Sequence, residues 1–231
     1  MVPLLLEWDG RRISFGIQRV VNIGYSGRDR GLVERHVAEL MAMGVPPPRE
    51  VPVLYPLPSD RITMGDTIDV LDPCTSGEAE FVLFCTGSSV YVGVGSDHTD
   101  RRLERQNVLL SKLVCPNVVS RLVWRYEDVR DHWDSLELRS WVSRGAENRA
   151  MCQEGTLGEL LPCGELLEIV RSRSSDGRLD GTVVFSGTIP LLTSAAAFGD
   201  GFEVQLADPV RRASLCCRYL IKQLTWLTRP D

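Results

Sequence analysis

Three carboxylates are gathered around one turn of the sequence. The segment GEAEFVLFCTGSSVYVGVGSDHTD carries Glu78 and Glu80 before the turn and Asp97 after it. The runs flanking TGSS are rich in Val, Phe and Tyr, the composition of paired strands. Residues two apart on a strand point to the same face, so Glu78 and Glu80 share one. A turn centred on Gly87 and Ser88 places Glu78 opposite Asp97 and Glu80 opposite Gly95. Like charges facing each other across strands are destabilising unless something compensates. A divalent cation is one compensation, and an all-oxygen set of two or three carboxylates suits Mg2+, Mn2+ or Ca2+ better than Zn2+. Gly93 and Gly95, on the same face, are expected to leave room for a ligand at the ion. The same spacing also describes the polar outer face of an exposed hairpin with no metal, and spacing alone leaves both readings open.

A second pair lies upstream, in RHVAELMAMGVPPPRE. His36 and Glu39 stand at i and i+3, so on a helix they can touch. Glu39 could then orient His36 as a general base; the plainer reading is a solvated pair on an ordinary helix. Leu32, His36, Leu40 and Met43 lie near one stripe of RDRGLVERHVAELMAMG, and Gly44 is a natural helix stop. The proline run VPPPREVPVLYPLP excludes regular helix and central strand and is expected to be a rigid extended connector.

Around these pieces the chain is expected to open with a hairpin, PLLLEW and RRISFGIQRVVNIGY, turned at Asp-Gly. RITMGDTIDV reads as a strand or turn-strand segment, and RLERQNVLLSKL as partly helical. VSRLVWRYEDVRDHWDSLELRSWV reads as partly helical, with its end a possible strand, and TLGELL is ambiguous. GTVVFSGTIPLL and DGFEVQLADP read as strands. The closing RRASLCCRYLIKQLTWL is strand or helix, undecided by periodicity. Strands with intervening helical pieces give an α+β domain with antiparallel or mixed sheet.

The whole chain, 231 residues with 43% hydrophobic and 25% charged, has material for a core and suits one domain. Its formal net charge of −5 argues against nucleic acid or an anionic membrane as partner. No segment has the apolar length of a membrane span, and the N-terminus lacks a signal peptide's basic region. Seven cysteines without framework spacing are expected to be reduced thiols, and the expected location is cytoplasmic. GVGSD is too short for a dinucleotide fingerprint, and His132, in EDVRDHWD, is expected at the surface. His98 is expected to point away from the Asp97 face.

In this order the motifs resemble the fumarylacetoacetate hydrolase (FAH) superfamily. GEAEFVLF resembles its E-x-E, and GSDHTDRRLE its Asp-containing segment, with Asp97, Thr99 and Arg101. HVAEL followed by GVPPPREVPVLYPLP resembles its lid H-x-x-E and proline-rich stretch. Lys112 in LLSKL resembles its downstream lysine, and FSGTIPLL and AFGDGFEVQL its C-terminal elements; the set spans roughly residues 22–206.

The resemblance implies one FAH-like domain over 1–231, an α+β mixed β-sandwich or β-roll with short peripheral helices. Residues 1–60 would form the N-terminal hairpin and lid segment, and 61–231 the metal-binding β core. It implies Glu78, Glu80 and Asp97 as ligands of Mg2+ or Mn2+, with Ca2+ as a substitute. It implies His36, Glu39 and Lys112 as catalytic residues, and Tyr25, Arg101, Gly187 and Thr188 as the substrate-binding set. The expected activity is hydrolysis of a C–C bond in an acylpyruvate or related 2-oxo acid. Decarboxylation, isomerisation and a non-catalytic binding role on the same fold are the alternatives. A homodimer is the expected assembly.

Overall fold

The computed structural model describes residues 3–42, 44–145, 148–193 and 198–227. Met43 and Ala197, the first residue of AFGDGFEVQL, lie outside the described residues. The chain opens with the hairpin β1 (Pro3–Trp8) and β2 (Arg11–Gly16). It turns at Asp9 and Gly10, whose φ of 49° and 72° are what a two-residue hairpin turn requires. Then come β3 (Arg19–Gly24), α1 (Arg30–Ala42), β4 (Val53–Leu57), β5 (Ile62–Thr63), β6 (Thr67–Val70) and β7 (Thr75–Ser76). The long hairpin is β8 (Ala79–Thr86) and β9 (Ser89–Ser96); β10 (Thr99–Asp100), α2 (Arg101–Glu104) and α3 (Val108–Leu113) follow it. The chain continues through β11 (Asn117–Val119), β12 (Trp124–Arg125), β13 (Glu137–Arg144), β14 (Asn148–Thr156), α4 (Cys163–Arg173), β15 (Thr182–Phe185), β16 (Gly201–Asp208) and β17 (Ala213–Gln223).

Two sheets carry the fold. An eight-stranded mixed sheet runs β4-β3-β15-β8-β9-β11-β5, with β12 also on β9, and a five-stranded sheet runs β14-β13-β16-β17-β6. Alternation along β8 shows how they meet. Phe81 and Leu83 join Val92 and Val94 in a core shared with Leu138, Val204, Leu206 and Leu215 of the second sheet. Val82 and Phe84 face the other way, into a core with Leu4, Leu6 and Phe15 of the N-terminal hairpin and with Val183 and Phe185 of β15. β8 is therefore apolar at successive positions because both its faces are covered. This is the α+β FAH-like fold, a mixed β-sandwich and roll with short peripheral helices.

The large sheet is curled. Asn22 on β3 and Asn117 on β11 are separated by β15, β8 and β9. At roughly 4.8 Å per strand step a flat sheet would hold them about 19 Å apart. Yet Nδ2 of Asn117 donates to Oδ1 of Asn22 at 3.3 Å, across the inside of a roll.

Several sequence expectations change here. VLYPL does form a strand, but at the sheet margin, where proline is tolerated. The stretch 126–135 makes only short 3-10 turns, not a helix. ASLCCRYLIKQ is strand. His132 is not a free surface side chain: its Nε2 lies 3.0 Å from Oδ2 of the buried Asp208, anchoring the 3-10 turns to β16. Along α1 the only buried residue is Val33, while Leu32 of the expected stripe is exposed. All seven cysteines are free.

Candidate metal centre

The register of the long hairpin sets the geometry of the carboxylates. Ala79 pairs with Ser96 and Glu80 with Gly95. Glu78 and Asp97 exchange both backbone hydrogen bonds at 3.1 Å, so the expected facing pairs are observed. Glu80, Val82 and Phe84 share the roll's inner face, and the carboxylates cap its apolar core at one end. That end is where β3 and β15 finish, β8 begins and β9 finishes, so Tyr25, Gly187, Glu80 and Asp97 come together from four segments.

Carboxylate oxygens of Glu78, Glu80 and Asp97 lie within 4.8 Å of one another. Asp97 and Glu80 are buried, and the Glu78 side chain is 19% exposed, at the rim. Two cations stand against them. Lys112, presented by α3 and almost wholly buried, donates from Nζ to Asp97 Oδ2 and lies 3.4 Å from Glu78 Oε2. Arg101, at the start of α2, donates Nη2 to Glu78 Oε1 at 3.0 Å, Nη1 to both Glu104 oxygens at 3.1 Å and Nε to Ser76 Oγ at 2.7 Å. The position of Arg101 is fixed by the helix start: Asp100 Oδ1 accepts from the backbone N–H of Arg102 and Leu103. Asn107 caps α3 in the same way.

The charges tune one another. Burial would raise the Glu78 carboxyl, but Lys112 and Arg101 outweigh it and hold Glu78 at about 2. Glu80, more enclosed and facing Asp97 and Glu78, is pushed well above the ordinary carboxylate range by burial first and by those neighbours next. The Lys112 ammonium opposes this, and so does the Gly187 N–H, which donates to Glu80 Oε2 at 2.8 Å. Burial disfavours the Lys112 ammonium, yet Asp97, Glu78 and Glu80 together keep it charged well past its usual limit.

The residues fit a divalent cation. The donor set is all carboxylate oxygen, as hard cations require. Asp97 Oδ1 is fully buried and has no hydrogen-bond partner, a cost that a bound ion would remove.

Other expected site residues take different places. Gly93 and Gly95 do not leave room for a ligand. A Cβ at Gly93 would meet Phe84 and Ser120, and at Gly95 the Val118 carbonyl at 2.7 Å with Val82 and Phe185 close by. These glycines admit the roll's own core. Arg101 is spent on three protein partners and braces Glu78. Tyr25 has a positive φ of 58° and is half-buried, within electrostatic reach of Glu104, Lys112 and Glu78. Thr188 donates to the Ala79 carbonyl at 2.8 Å. His36 and Glu39 meet each other, 3.9 Å apart, with side chains 58% and 72% exposed. The ring of His36 lies 6.2 Å from that of Tyr25. His98 does face away, with Nδ1 2.9 Å from the Tyr219 hydroxyl in the core between the sheets.

Sequence reasoning missed Gln153. From β14 its Oε1 accepts from Ala79 N–H at 3.0 Å and Ser140 Oγ at 2.8 Å, and its Nε2 donates to Thr188 Oγ1 and the Ile189 carbonyl, both at 2.7 Å. One side chain thereby ties the start of β8 to the loop that carries the Gly187 N–H. Tyr55 was missed as well; its ring centroid lies 5.9 Å from Lys112 Nζ.

The chain thus builds an FAH-like fold with three carboxylates at the mouth of its roll. Residues 23–219 match the family described as "Protein of unknown function (DUF2848)", and the chain belongs to that family. The fold is similar to the solved structure of a 2-keto-3-deoxyarabinonate dehydratase in a hexagonal crystal form. The TM-score is 0.64 at 14% identity, over 95% of this chain and 78% of that one. No curated protein matches the chain.

Proposed function

We propose that this protein is a divalent-metal-dependent enzyme acting on a small 2-oxo acid or 1,3-dicarbonyl acid, and that it hydrolyses a C–C bond next to the carbonyl. The observation that carries the reading is the buried Glu78–Glu80–Asp97 cluster, with Asp97 Oδ1 unpartnered. Glu78, Glu80 and Asp97 would hold Mg2+ or Mn2+. Bound there, the ion supplies a Lewis acid that polarises the substrate carbonyl and stabilises enolate charge.

The chain's own residues supply the rest. Gly187 N–H orients Glu80, and Arg101 orients Glu78. Lys112 and Tyr55 line the same end of the roll and offer a cation and a hydroxyl to a substrate carboxylate. His36, steered by Glu39, would take a proton from water once α1 closes over the carboxylates. With only Val33 buried, α1 has little packing to lose in moving.

A second reading is a lyase that needs no activated water, such as a dehydratase or decarboxylase. It is favoured by the exposure of His36 and Glu39, and the dehydratase with the similar fold acts on a 2-keto acid by name.

Turnover of acylpyruvates, oxaloacetate and 2-keto-3-deoxy acids with Mn2+ or Mg2+, with Asp97→Ala as control, tests both. Loss of acylpyruvate cleavage in His36→Ala supports the hydrolase; turnover of oxaloacetate or a 2-keto-3-deoxy acid instead of acylpyruvate, at an intact rate in that variant, supports the lyase. No turnover, and no cation bound at millimolar concentration, defeats the metal-enzyme reading.

A further inference from the structure

The sequence contains only two lysines, Lys112 and Lys222, while all its other basic side chains of this pair of types are arginine. Lys222 is exposed on β17. Lys112 is buried, with its ammonium between Asp97 Oδ2 and Glu78 Oε2. The other Glu78 oxygen is held by Arg101, whose guanidinium has three further acceptors in Ser76 and Glu104 and cannot leave without stranding them. A cation that takes the unpartnered Asp97 Oδ1 and Glu78 Oε2 therefore leaves Arg101 its oxygen, and sets a second positive charge against the Lys112 ammonium, which shares Glu78 Oε2 and holds Asp97 Oδ2.

Lysine suits an exchange of that kind. Its charge is compact and rides a flexible stem, whereas arginine's fork is committed by its geometry. A second station lies within reach: the Tyr55 ring, whose centroid is 5.9 Å from Nζ, a distance at which an ammonium is attracted to an aromatic face.

We propose that Lys112 is an internal counter-ion that the metal displaces. Cation binding to Glu78, Glu80 and Asp97 moves Nζ off Asp97 toward Tyr55, so that loading the site also delivers an ammonium to the substrate side. The inference rests on the metal reading given above and adds an exclusion between ion and lysine.

The two-lysine composition makes the test direct. Lysine-selective 15N and 13C labelling yields two side-chain signals, with Lys222 as internal reference. Titration of metal-depleted protein with Mg2+ is expected to shift the Lys112 ammonium signal and weaken its protection from solvent, in step with saturation measured by calorimetry. A Lys112 signal that keeps its position and protection at saturating Mg2+ overturns the exchange. In parallel, Lys112→Met is expected to bind Mn2+ about tenfold tighter or more than wild type, as the coupling of close charge pairs implies. Equal or weaker binding overturns it. If neither protein binds Mn2+ or Mg2+, the metal reading itself falls; if wild type binds and the lysine does not respond, only the exchange falls.

Discussion

Gln153 and Thr188, 35 residues apart, meet through a 2.7 Å hydrogen bond from Nε2 to Oγ1. Gln153 also receives the Ala79 N–H, so a single buried amide sets the distance between the strand that carries Glu80 and the loop that orients it. Gln153→Ala leaves the Ala79 N–H unpaired and takes from the Ser140 hydroxyl and the Ile189 carbonyl their partners at 2.8 and 2.7 Å. The expected loss is about 2–4 kcal/mol of stability, since each orphaned buried group costs about 1–3 kcal/mol. Urea unfolding measures it; a loss below about 1 kcal/mol would show that the clamp is dispensable.

Glu80→Gln separates metal binding from folding. The amide keeps an oxygen for the Gly187 N–H, while the carboxylate it replaces is already pushed well up by burial and by Asp97. Removing a charge that the interior disfavours is expected to leave stability without metal equal to wild type or higher. Mn2+ binding should be lost, and with it any Mn2+-induced rise in Tm. Melting curves with and without Mn2+ check both halves.

Gly187 has φ of +84°, and a Cβ there would meet Ser26 Oγ and, at 2.6 Å, the Ile23 carbonyl. Gly187→Ala is expected to cost about 2–4 kcal/mol from left-handed backbone strain and overpacking together. It should also weaken cation binding, because any relief of the clash moves the N–H that Glu80 accepts. Denaturation and calorimetry together decide, and an unchanged cation affinity would detach Gly187 from the site.

Asp208 gives the fold an acid limit. Its burial opposes ionisation, but the Arg211 N–H, the His132 ring and the Val210 N–H outweigh it and hold the carboxyl below its ordinary range. A carboxyl depressed in the folded state contributes stability above its unfolded pKa, about 3.9. That contribution is lost as pH falls through the lower folded value. Asp208→Asn is expected to reduce stability at pH 6 and to flatten its decline between pH 5 and pH 3, read as unfolding free energy against pH. A decline as steep as in wild type would assign the acid limit to other carboxylates.

The long hairpin was legible because its turn and its two β-rich runs fix a register, and the register alone places Glu78 opposite Asp97. The curl of the large sheet was not legible, since it depends on strands brought together from positions 19 to 185. Gly93 and Gly95 were misread for the same reason: the side chains that fill their space, Phe84, Val82 and Phe185, come partly from another strand. Gln153 has no local signature, because its partner at Ala79 lies 74 residues away. The helix α4, Cys163–Arg173, passed unnoticed beside the ambiguous TLGELL, although its buried residues, Cys163, Leu166 and Val170, stand at helical spacing.

Pro56 sits within β4, at the open margin of the roll, paired with Val21 on its inner side. Having no N–H, it cannot offer a full ladder to an incoming strand, and exposed strand margins are where chains join into aggregates. This edge of the sheet is thus guarded against growth, and a second copy of the chain is not expected to extend the sheet from β4.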